Sequence, residues 1–117
     1  MNIPDHFFYS QEEFFNNAVK TSYDRTYDGI VKHKYHLKEG NRGIIVIEKS
    51  GLKTELDYIY EKQNLYELIK IGDTIIKRKR TNSIAIKRNE LDTIINLKFE
   101  NIKGAELYSE NNKYLNN

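Results

Sequence analysis

Between residues 29 and 99 the chain repeats one pattern: a few residues of alternating apolar and polar side chains, a turn signal, then another alternating segment. A period of two suits a strand with one face in a core, and an α-helix does not produce it. Residues 29–37 set Val31, His33, Tyr35 and Leu37 on one face and Ile30, Lys32, Lys34 and His36 on the other. Glu39-Gly40-Asn41 is a turn cluster. Ile44-Ile45-Val46-Ile47 is an unbroken β-branched run, suited to a strand covered on both faces. Ser50-Gly51 marks a hairpin, and residues 53–60 alternate again. Asn64 can cap one helical turn whose Leu65, Leu68 and Ile69 face inward. Ile71-Gly72-Asp73 is a turn in which Gly supplies positive φ and Asp caps the backbone. Residues 74–78, 83–88 and 92–99 complete six short strands. Six strands at this spacing predict a mainly β fold, a small antiparallel β-barrel or rolled meander sheet of SH3 or OB size.

The N-terminal part follows another rule. Ser10-Gln-Glu-Glu13 is a capping box, and Tyr9 and Phe14 can staple across it. Phe14, Phe15, Ala18 and Val19 recur at helical spacing and predict a helix over residues 11–20. A helix this short needs tertiary packing, so it is expected to cover one end of the sheet. The division is a lead-in and capping helix (1–28), a β region (29–100) and an Asn-rich tail (101–117) expected as a short helix or frayed end, all in one domain. Phe14, Val31, Tyr35, Ile45, Ile47, Leu56, Leu68, Ile76, Ile86 and Leu97 are the expected core.

Composition removes several functions. The chain has 117 residues and no Cys, which excludes disulfides, thiol catalysis and Cys-ligated metals. His33 and His36 are three apart on a strand and so point to opposite faces; with His6 they form no ligand motif. No G-x-S-x-G, P-loop or G-x-G-x-x-G is present. No cofactor and no enzymatic activity are expected. No apolar run is long enough for a transmembrane segment. Residues 1–17 lack a secretory pattern, so the chain as written reads as cytoplasmic, or as a cell-envelope or periplasmic domain if a signal or anchor lies upstream.

Net charge is only +2, but Lys77, Arg78, Lys79, Arg80, Lys87 and Arg88 gather in one hairpin with no acid between them. Pairing Ile76 with Ile86 would place Lys79 and Arg80 at its tip. With Tyr58, Tyr60 and Tyr66 on the same face, that hairpin could bind single-stranded nucleic acid through phosphate contacts and stacking. The same charges could instead protect a sheet edge. Nine Tyr and five Phe exceed what a small core needs and suit an interface with a protein partner.

Gly29-Ile-Val-Lys-His-Lys-Tyr35, Ile71-Gly-Asp-Thr-Ile-Ile-Lys77 and Ile84-Ala-Ile-Lys-Arg88 together resemble a group of small bacterial proteins, common in the Bacteroidetes. That group pairs a G-x-V-x-x-K-Y strand with a G-D-S-I-x-K turn. The likeness covers residues 27–90. It implies a cell-envelope setting, because members often follow a lipoprotein signal or one anchor, and it implies no activity. The expected role is a non-enzymatic interaction or structural module, with single-stranded nucleic-acid binding through the basic hairpin as the alternative.

Overall fold

The computed structural model describes residues 10–115. Its strands are β1 (Tyr27–His36), β2 (Gly43–Lys49), β3 (Leu52–Leu56), β4 (Thr74–Lys77), β5 (Ser83–Arg88) and β6 (Leu91–Asn96). They form one antiparallel sheet in the order β3-β2-β1-β4-β5-β6. The helices are α1 (Gln11–Asp24), α2 (Leu65–Leu68) and α3 (Ala105–Tyr108).

The strand order departs from a simple meander at one place. β4 lies against β1, not β3. β1 is ten residues long and serves two partners, β4 along its first four residues and β2 from Ile30 onward. Residues 57–73 carry the chain from the β3 edge to the other side of β1, and they bury Leu65 and Ile69 on the way. At the branch point Gly29 is required by close approach. A Cβ there would sit 2.9 Å from the Glu48 carbonyl oxygen.

The sheet is not closed, because no ladder joins β3 to β6. Side chains and backbone groups just beyond the two edge strands join them instead. Glu61 accepts from the backbone N–H groups of Lys98 and Phe99, both at 2.8 Å. Asn101 donates through Nδ2 to the carbonyls of Ile59 (3.2 Å) and Glu61 (2.8 Å), and through its backbone N–H to Tyr60 (2.8 Å).

A β-bulge at Lys32 shifts the β1–β2 register between Val31 and His33. One extra residue inverts every later side chain. His33 is therefore exposed and stacks on Tyr35, 5.5 Å between centroids, instead of sharing the inner face with Val31. Tyr35 leaves the expected core for the outer face and donates to Glu55 (2.6 Å). Lys34 turns inward, donating to the Ile69 carbonyl (2.8 Å).

The β4–β5 register is offset by one residue from the expected one. Ile75, not Ile76, faces Ile86. The loop between them is anchored, and this sets the offset. Asn82 is fully buried, its Nδ2 donating to the Val19 and Tyr114 carbonyls (3.1 and 2.9 Å), and the Arg80 N–H donates to Tyr23 (2.7 Å). Ile75, Ile84 and Ile86 thereby enter the core, and Ile76 moves to the outer face.

Ser10 caps α1 as expected, accepting from Glu13 N–H at 3.1 Å. Tyr9 and His6 lie outside the described residues. α1 runs on to Asp24 and buries Phe15 and Val19, a pair four apart. Phe14 flanks that stripe and stays 41% exposed, meeting Tyr60 edge-on at 5.8 Å. Leu68 is likewise outside the core. The C-terminal segment packs inward through Ile102, Ala105 and Leu115.

Candidate functional site

The basic hairpin divides into two groups. Lys77 faces inward and is buried, with Nζ donating to the carbonyls of Arg25 and Arg78. Burial, with Arg25 beside it, lowers its pKa to about 8. Arg88 forks onto buried Asp73, with Nε to Oδ1 and Nη2 to Oδ2 both 2.7 Å, and also donates to the Leu68 carbonyl. That fork, above all, holds the Asp73 carboxyl below its ordinary pKa. Asp73 also accepts from Lys70 N–H, so the Gly72-Asp73 turn is a structural joint. Arg78, Lys79, Arg80 and Lys87 remain exposed.

The three tyrosines go elsewhere. Tyr58 is tied to Tyr27, Oη to Oη at 2.9 Å, and its phenol pKa is pushed well up by burial. Tyr60 packs beside Phe14 and Phe99. Tyr66 lies under His36 (4.4 Å) and the Lys34 ammonium (4.3 Å). Tyr58 and Tyr60 line one cleft together with Arg25, whereas Arg78 and Lys87 line a groove with Ile76 and Ile94 on the outer face.

That outer groove leads to a feature the sequence reading missed. Opposed residues share a face, so Ile76, Ala85 and Ile94 form one apolar row across β4, β5 and β6. Ile94 is 66% exposed and Leu91 71% exposed. β6 is also a sheet edge. Leu97 N–H donates back to the Asn82 carbonyl, which fixes the alternation of the ladder. By that alternation Asp92, Ile94 and Asn96 direct their backbone N–H and C=O groups away from β5. Among the described residues these groups have no backbone partner. Leu91-Asp-Thr-Ile-Ile-Asn96 also contains no Lys or Pro, two usual protections of an edge. Its composition could have suggested this, but its place at the edge depends on the β1–β4 pairing.

Among the described residues no three His, Asp or Glu side chains cluster to hold a metal ion, and no helix is long and apolar enough to cross a membrane. No family model matches the chain, and comparison with curated proteins and with solved structures finds no match either.

Proposed function

We propose that the protein is an interaction module that takes an extended segment of a partner protein onto the free edge of β6. One observation carries this: an edge strand rich in β-branched and apolar residues whose outward backbone groups, at Asp92, Ile94 and Asn96, lack backbone partners among the described residues. Strand addition uses such groups for affinity and alternate side chains for specificity. The partner segment would place an apolar side chain beside Ile94, extending the Ile76–Ala85–Ile94 row, and a neutral or basic one beside Asp92. The nucleic-acid alternative has less support. Lys77 is buried, Arg88 is tied to Asp73, and Tyr58, Tyr60 and Tyr66 do not join the four exposed cations.

The test is selection from a displayed library of random peptides, followed by titration of the winners. Enriched peptides should alternate apolar residues, protect β6 amides from hydrogen exchange, and lose affinity for Ile94→Pro and Ile94→Lys proteins. Peptides that bind these variants as well as wild type would overturn the proposal. A labelled single-stranded oligonucleotide is titrated in parallel. Salt-sensitive binding lost on Arg78, Lys79 and Arg80→Ala, with no peptide bound, would move the function to the β4–β5 loop.

A further inference from the structure

The cleft beneath α1 is independent of the β6 edge and has a chemistry of its own. It encloses about 440 Å³, within the range of sites for small ligands. Five aromatic side chains line it, Phe14, Tyr27, Tyr58, Tyr60 and Phe99. The carboxylates that line it are already engaged. Glu61 accepts from the backbone at Lys98 and Phe99, and Asp57 pairs with Arg42 at 3.7 Å. Asp24, next to Arg25 in the chain, is held by Lys20.

Two hydrogen-bond donors remain at one end. Arg25 lies over the Tyr27 ring, 5.1 Å from guanidinium carbon to centroid. Its only hydrogen bond through the side chain, among the described residues, is a long one to the Glu55 carbonyl (3.4 Å), and it has no carboxylate partner there. Beside it sit the Tyr27 and Tyr58 phenols. The pair owns two O–H groups and the shared 2.9 Å bond uses one, so one O–H is left to donate. Burial pushes both phenol pKa values up, which keeps the phenols protonated at neutral pH.

A guanidinium and a phenol O–H at the end of an aromatic cleft match one ligand type: a flat or chain-like apolar body ending in a carboxylate. We infer that this cleft is a binding site for a small aryl- or alkyl-carboxylic acid. The carboxylate lies on Arg25 and the Tyr27–Tyr58 pair, and the body lies between Phe14 and Phe99.

The experiment is an NMR titration of the full chain with 4-phenylbutanoate, and with 4-phenylbutanamide as its uncharged twin. Saturable shifts are expected at the backbone amides of Ala18, Ser22, Leu56, Tyr58 and Phe99. The amide should bind roughly tenfold or more weakly, because a charge-assisted bond is lost. Arg25→Gln should erase the difference between the two probes, and Arg25→Lys should restore part of it. Phe14→Ala should weaken both probes alike. Arg25 and Phe14 lie outside the buried core, so these variants should fold, and a thermal melt checks that. Shifts that never saturate, shifts outside the cleft, or equal affinity for acid and amide in the wild type would each overturn the inference.

Discussion

The two edges of the sheet are built from similar short strands and have opposite characters. β3 is guarded. Lys53 and Glu55 alternate along it, and the Arg25 guanidinium reaches the Glu55 carbonyl that its ladder leaves open. β6 has Ile94 where a charge would stand, and its outward carbonyls meet nothing among the described residues. Both strands sit on two-residue hairpins, Ser50-Gly51 and Asn89-Glu90, so turn chemistry does not explain the difference. The contrast teaches that edge protection here is local and selective. One edge carries alternating charges and a guanidinium, and the other carries the exposed Ile94 between Asp92 and Asn96, the asymmetry that the proposed partner strand would use.

The contrast depends on a common platform, and breaking it should give the largest effect. Ile45 is 1% exposed on β2, directly behind β3. Ile45→Asp would bury an unpaired carboxylate, a cost of several kcal/mol against a typical stability of about 5–15 kcal/mol. The domain should lose its cooperative melt by circular dichroism. A soluble variant with an unchanged Tm would remove β2 from the core.

Next in size is the cross-link between the ends of the two edges. Glu61→Ala leaves the Lys98 and Phe99 N–H groups without their acceptor. Two hydrogen bonds to a charged group are lost, so a destabilisation of about 3 kcal/mol is expected in urea. Hydrogen exchange should speed up at residues 97–101 before it does in β1. A loss below about 1 kcal/mol would show that packing, not Glu61, holds the segments after β3 and β6 together.

Much of the fold was legible because local signals agreed with global structure. Ser10 and Glu13 marked the start of α1, Ser50-Gly51 the hairpin, and Ser83-Ile-Ala-Ile-Lys-Arg88 the bounds of β5. What failed depended on single-residue offsets and on distant partners. The bulge at Lys32 reverses His33 and Tyr35 without any Gly or Pro to announce it. Asn82 sets the β4–β5 register through Val19 and Tyr114, residues 63 and 32 positions away. The basic group looked continuous in sequence, yet strand alternation sends Lys77 inward, and Asp73 captures Arg88. The β6 edge and the Arg25 cleft arise from pairings and packing that one-dimensional periodicity does not encode.

Exchanging the two edges should change assembly more than stability. Ile94→Lys adds a guard to β6, and Lys53→Ile with Glu55→Val removes the guard from β3. Surface changes of this kind alter stability by roughly 0.5 kcal/mol or less. Peptide binding should vanish in the first variant. Concentration-dependent association, read by sedimentation velocity, should appear in the second. If the second stays monomeric at every concentration tested, Arg25 alone suffices to close the β3 edge.

The last test concerns the guarded side, where Lys77 holds the Arg25 carbonyl and the Arg25 guanidinium makes a long contact to β3. The folded pKa of Lys77, about 8, lies below the ordinary 10.5 of the unfolded chain. Between these values the unfolded state binds more protons than the folded one, so stability should rise as pH increases from 8 toward 10. Tyr27 and Tyr58 act in the opposite direction. Their folded pKa values are raised above 10, so above that pH unfolded tyrosines ionise first and stability should fall. Urea midpoints from pH 7 to 11 should therefore pass through a maximum near 10. Lys77→Met should flatten the rising limb and leave the falling one. A rising limb that survives Lys77→Met would assign it to another group and separate Lys77 from the closure of the β3 edge.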